Sequence, residues 1–132
     1  GSPLAGLEAA LDLFASKAYT SSGASCLGVA AICEFGRADA AVNAITDAHA
    51  RALQAALERR LLDAQALGEL AAGVDVHDAA RFLGATLTGL KVSARAGASA
   101  AHLQGIARLA LRGLAPAPAP DPAPRPRSHP RA

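Results

Sequence analysis

Two consecutive stretches near the C-terminal end decide the fold of this chain: VHDAARFLGATLTGLKVSARA at residues 76–96 and AAHLQGIARLALRG at residues 100–113. Both predict helices that are apolar around most of their circumference. A helix that packs once within a monomer needs an apolar stripe only about 100° wide. On the first helix the charged residues fall in one narrow strip, so two apolar faces remain. One face can cover the chain's own core, and the other predicts contact with a second molecule.

The two faces follow from residues spaced three or four apart. One face consists of Val76, Ala80, Leu83, Leu87, Leu90 and Ala94, and the other of Ala79, Phe82, Thr86, Gly89 and Ser93. The sequence leaves open which face meets the partner. We expect a homodimer in which the last two helices pair through apolar residues of both: Leu83, Leu87, Leu90, Leu103, Ile106 and Ala110.

The composition predicts one helical domain without a nucleic-acid surface of its own. A length of 132 residues gives room for a single core. Alanine, the best helix former, is abundant, and β-branched residues are sparse. The net charge of +2 comes from the arginines and the aspartate that follow Ala115, so the rest of the chain is neutral. A DNA-binding surface needs clustered Lys and Arg, and that neutral part has no such cluster.

Nothing in the sequence predicts membrane insertion or export. The longest uncharged run, residues 18–33, falls short of the ~20 apolar residues of a membrane span. A signal peptide, with its basic start and apolar centre, is not found. Cys26 and Cys33 on one helix would lie about 10 Å apart, beyond the ~7 Å limit for a disulfide. Reduced thiols fit a cytoplasmic protein, which is the predicted location.

The predicted architecture is all-α, with five helices and a tail. Residues 1–3 are interpreted as a cloning remnant and helix start, residues 4–114 as the domain, and residues 115–132 as a Pro/Ala-rich tail. The second helix is expected at residues 26–35 and the long third helix at about residues 39–67. Alternating Ala and Pro favour an extended, disordered tail, with binding to a proline-recognition module as the alternative. Ser2, Asp75 and Ser99 are the expected N-caps, and Gly68 and Gly97 the expected terminators.

Three motifs carry a resemblance to a known family. They are Ser25-Cys26-Leu27, the segment Ala66-Leu67-Gly68-Glu69-Leu70, and Leu87-Thr88-Gly89-Leu90. In this order and spacing they resemble the C-terminal regulatory domain of TetR-type transcriptional regulators, over residues 4–114. Ser25 stands where that family usually has glycine.

The resemblance implies a ligand-sensing and dimerisation domain of a transcriptional repressor. Its first four helices would enclose a pocket for a small molecule, and its last two would form a four-helix bundle with a second subunit. The inward residues are mostly Ala, Leu, Ile, Val, Cys and Phe, so we expect a small, largely apolar ligand. DNA would be bound only through an N-terminal helix-turn-helix domain, whose pattern this sequence lacks.

The candidate ligand-binding residues are polar or aromatic residues on otherwise apolar faces, together with their neighbours. His49 lies on the apolar stripe of the long helix with Ile45 and Leu53, and it is either a ligand contact or a core histidine with a backbone or water partner. Cys26, near a helix start, is interpreted as structural, with oxidant sensing as the alternative. The full predicted set is Leu11, Phe14, Cys33, His49, Leu53, Phe82 and Thr86.

Two other functional classes remain beside the regulator. One is a stand-alone helical dimerisation or scaffold module that has no ligand. The other, a helical-bundle enzyme, is disfavoured because the sequence has no Glu-x-x-His pair, no Cys-x-x-Cys and no His-Glu-x-x-His. We therefore expect no enzymatic activity, no cofactor and no metal site.

Overall fold

The computed structural model describes residues 1–20 and 37–121. They form four helices: α1 (Pro3–Thr20), α2 (Ala40–Ala66), α3 (Val76–Arg95) and α4 (Ala100–Arg112). These described residues contain no strand, so the predicted all-α class is confirmed. The helix predicted at residues 26–35 and the tail from residue 122 onward lie outside the described residues, and five helices stay a prediction. No described helix is both long enough and apolar enough to span a membrane.

Side-chain caps fix the helix starts, as the sequence predicted. Ser2, Asp75 and Ser99 each accept an N–H group from three residues further along, at 3.0, 2.8 and 3.2 Å. Asp39 accepts two N–H groups in the first turn of α2, at 2.9 and 3.0 Å. These bonds satisfy donors that have no partner inside a helix, so the boundaries follow from local sequence.

Glycines reverse the chain after two of the helices. Gly68 follows α2 with a φ of 70°, and Gly97 follows α3 with a φ of 94°. Left-handed backbone of this kind favours glycine because it has no Cβ. Both predicted terminators are therefore confirmed.

The helices α1 and α3 form the centre of the domain. Each of them packs against α2 and α4 and against the other, whereas α2 and α4 do not contact each other among the described residues. The largest fully buried side chains are Leu61, Leu83, Leu90 and Leu103. No polar or charged residue in the described part of the chain is buried as a whole. The core is thus an apolar cluster whose packing positions all four helices.

The long helix α2 is buried only in its C-terminal half. Its buried residues are Leu57, Leu61 and Ala64. Ile45 and Leu53, which the periodicity predicts as inner residues, are 62% and 40% exposed. No described element covers this half of the stripe, so its burial is not confirmed for the residues that the structure describes.

Candidate functional site

Two predicted ligand residues lie on α1, within or against the core. Leu11 is buried, and Phe14 is half-buried and packs on the same apolar cluster. The ammonium group of Lys91, on α3, lies 5.3 Å from the centroid of the Phe14 ring. A cation at this distance is attracted to the ring face, so this contact fixes the Phe14 ring between α1 and α3.

The other described members of the predicted ligand set lie on α2 and α3. His49 and Leu53 are exposed on α2, and Phe82 is 48% exposed on α3. The Thr86 hydroxyl donates to the carbonyl oxygen of Phe82 at 2.9 Å, so its hydrogen bond lies within α3. The predicted ligand residue Cys33, like Cys26, lies outside the described residues.

A groove of about 560 Å³ lies between the start of α1, the loop after α2 and the end of α4. Its lining includes Leu4 and Glu8 on α1, Glu69 in the loop, and Arg108 and Arg112 on α4. None of the predicted ligand residues lines it. Sequence reasoning did not predict a role for Glu69, because helical periodicity gives no information about a loop residue. The Gly-Glu-Leu motif that contains Glu69 was the sequence signal for this region.

The predicted dimer residues divide by burial. Leu83, Leu90, Leu103 and Ala110 are buried in the protomer's own core, where they fill the space between the packed helices. Their assignment to the interface stays a prediction. The remaining two, Leu87 and Ile106, are half-buried against the same core.

The structure decides which face of α3 is turned inward. The face with Leu83 and Leu90 covers the core, and of the other face only Ala79 is buried. We call the exposed apolar surface of α3 and α4 the outer face. It consists of Phe82, Ala85, Gly89 and Val92 on α3 and of Ala101, Gly105 and Leu109 on α4.

Large apolar side chains and bare backbone alternate on the outer face. Phe82, Val92 and Leu109 are 48%, 49% and 71% exposed. A Cβ built on Gly89 or Gly105 would meet no other atom within 4 Å. Glycine in a helix costs roughly 1 kcal/mol relative to alanine, and no close approach within the described part of the chain accounts for it at these positions.

A comparison with protein families identifies the chain. The family described as tetracyclin repressor-like, C-terminal domain, matches residues 3–110. The chain belongs to this family. Such TetR-like domains are parts of transcription regulators, which are not enzymes, and the resemblance carried by the three motifs is confirmed. Searches of the curated proteins and of the solved structures found no match.

The polar groups of this TetR-like domain form small surface clusters. Glu58 on α2 accepts a hydrogen bond from Gln54 at 2.8 Å and contacts the Nδ1 atom of His77 on α3. The hydrogen bond from Gln54, followed by that from His77, lowers the pKa of Glu58. The described residues contain no group of three or more His, Cys, Asp or Glu that could hold a metal ion. The contact between Glu58 and His77 joins α2 to the start of α3.

One carboxylate oxygen lacks a partner. The Oδ1 atom of Asp12, on α1, is buried and accepts no hydrogen bond. One turn further along α1, Ser16 receives a hydrogen bond of 3.4 Å from Gln104 on α4. A buried acceptor without a donor costs roughly 1–3 kcal/mol. Asp12 is therefore a local weakness of α1.

Proposed function

We propose that this TetR-like domain is the ligand-sensing and dimerisation part of a cytoplasmic transcriptional repressor. The match over residues 3–110 and the uncovered outer face support the proposal. Operator DNA would be contacted by a helix-turn-helix domain that these residues do not include. A ligand would favour a conformation of the dimer that no longer fits the operator, which is a shift of populations.

The exposed apolar residues of the outer face support the dimer in this proposal. Burying an exposed Phe, Leu or Val side chain contributes about 1.5–3 kcal/mol to the free energy of association. In a dimer, both subunits bury such side chains of their outer faces. Gly89 and Gly105 leave the backbone bare, so a partner helix can approach closely there. A second copy of the chain brings the same surface, as a two-fold interface requires.

The ligand is proposed to be small and largely apolar. Phe14, half-buried three residues after the buried Leu11, presents apolar surface at α1, and the exposed half of the α2 stripe adds Leu53 and the polar His49. Cys33 completes this proposed set, whereas Phe82, with Thr86 beside it, is reassigned to the dimer. A few polar groups among apolar ones fix the orientation of a ligand, and His49 would supply one.

The dimer is tested by mass in solution, with variants placed on exposed residues so that the protomer still folds. We expect light scattering to give a dimer for the wild type and a folded monomer for Phe82→Glu combined with Leu109→Glu. The control is Leu62→Glu on α2, whose exposure of 54% lies between those of Phe82 and Leu109 but which is off the outer face, and it should remain a dimer. A double variant that keeps the dimer mass would contradict the proposed interface.

The ligand is tested by thermal shift with a panel of small apolar compounds. A compound present at 100 times its dissociation constant stabilises the folded state by about 2.7 kcal/mol, so binding is easily measured. His49→Ala should weaken the binding of compounds that carry a hydrogen-bonding group. A panel that shifts nothing would leave the dimer and remove the sensing function.

A scaffold module without a ligand is the second candidate, because His49 and Leu53 are exposed on α2 and none of the predicted ligand residues lines the groove beside Glu69. In such a module the proline-rich tail would recruit the partner. The tail prolines alternate with other residues, so no two of them are three apart in the sequence. Grooves that read P-x-x-P need that spacing, and this makes the scaffold the weaker candidate.

A further inference from the structure

The loop at residues 68–71, which we call the latch loop, contacts both ends of the helical body. The N–H group of Leu4, in the first turn of α1, donates to the Oε2 atom of Glu69 at 2.9 Å. The N–H group of Ala71 donates to the carbonyl oxygen of Leu114, just after α4, at 2.8 Å. Leu70, between the two contacts, is buried in the core. The latch loop therefore ties the start of α1 to the end of α4.

The bond to Glu69 completes the hydrogen bonding of the first turn of α1. The first N–H groups of a helix have no partner within it. Ser2 accepts locally, from Ala5 through its side chain and from Gly6 through its carbonyl, both at 3.0 Å. Leu4 instead finds its acceptor 65 residues away. A carboxylate at this end is also favoured by the helix dipole.

The hydrogen bond from Leu4 to Glu69 joins α1 to the latch loop at the groove. Glu69 is half-buried, and it lines the groove with Glu8 on one side and with Arg108 and Arg112 of α4 on the other. No described ion pair joins these acidic and basic side chains. The first turn of α1 is thus held by a hydrogen bond to the latch loop rather than by a surface salt bridge.

We propose that Glu69 is a positioning residue that fixes the first turn of α1 and, with it, the direction in which any polypeptide N-terminal to α1 leaves the domain. The latch loop joins α2, which carries proposed ligand residues, to α3, which carries half of the outer face. Besides the direct packing of α1 against both helices, Glu69 links the segment between them to the start of α1. This role in regulation rests on the proposed function, in which the preceding polypeptide binds DNA.

Amide exchange measured by NMR on this chain tests the latch. In Glu69→Ala we expect the exchange of the Leu4 amide to rise about tenfold, because hydrogen bonds to charged groups are the stronger ones. Glu69→Gln keeps an acceptor oxygen and should give a smaller rise. Glu8→Ala removes an acidic residue from the same groove and should leave Leu4 unchanged. The Leu11 amide, in the middle of α1, should keep its exchange rate in all three variants.

Two results would overturn the proposal. One is a Leu4 exchange rate that is the same in Glu69→Ala as in the wild type. The other is an increase that extends equally to Leu11, since Glu69 would then stabilise the whole domain rather than position one turn. A heteronuclear NOE that falls at residues 3–6 in Glu69→Ala, and not in Glu8→Ala, would support the latch independently. Neither measurement involves DNA or a ligand, so a failure of the proposed function remains distinguishable.

Discussion

The two apolar faces of α3 differ in their surroundings. On the inner face, Leu83 and Leu90 are fully buried among α1, α2 and α4. On the outer face, Phe82 and Val92 are about half exposed, and Gly89 meets nothing within 4 Å. A monomer gains nothing from the second face, whereas a dimer gains its burial. Packing within the protomer therefore explains the apolar residues of the inner face of α3 but not those of its outer face.

The largest loss of stability is expected from truncating a leucine of the inner face. Leu83→Ala should lower the free energy of unfolding by about 2–5 kcal/mol, because it removes a fully buried side chain and leaves a cavity. Leu62→Ala, an exposed leucine on α2, should stay within about 0.5 kcal/mol of the wild type. Urea unfolding measures both. Equal losses would mean that the inner face is not the core.

A methyl group added to a glycine of the outer face tests the difference between the two faces of α3. Gly89→Ala should stabilise the isolated protomer by about 0.5–1 kcal/mol, because alanine is the better helix former and the space is open. In the dimer the added methyl group should weaken association about tenfold, as overpacking does. Gly84→Ala is the matched control, since it lies on α3 in open space but off the outer face. Sedimentation would contradict the account if both variants dimerise like the wild type.

The unpartnered oxygen of Asp12 predicts a gain on mutation. Asp12→Ala should raise the free energy of unfolding by up to about 1 kcal/mol, since it removes a buried acceptor that has no donor and increases helix propensity. Asp63→Ala, on the exposed side of α2, supplies the propensity effect together with the loss of a negative charge from the last turn of α2. A clear destabilisation by Asp12→Ala would show that the oxygen has a partner after all.

The smallest effect concerns pH. Hydrogen bonds from Gln54 and His77 hold the pKa of Glu58 below the usual range of a glutamate, so their stabilisation is present at neutral pH and lost as the pH falls through the folded-state pKa. Glu58→Gln should lose less stability than the wild type on acidification in this range. Unfolding curves at several pH values measure the difference. Parallel pH profiles would mean that the Glu58 cluster does not couple folding to protonation.

Local signals in the sequence predicted the helix ends and the two faces of α3. Capping by Ser99 and the turn at Gly97 depend only on neighbouring residues. Periodicity could not decide which face of α3 turns inward, because that depends on how α1 and α4 pack against it. The bond from Leu4 to Glu69 spans 65 residues, and no periodic pattern signals such a contact.

The central claim is that the outer face meets a second copy of this chain. Its most direct test is an isotope-filtered NOE experiment on a mixture of labelled and unlabelled protein. We predict intermolecular contacts from the Phe82 ring and the Leu109 methyl groups, and none from Leu83 or Leu90, which are buried. A spectrum with no intermolecular contact at Phe82 and Leu109 in the concentrated sample would contradict the account.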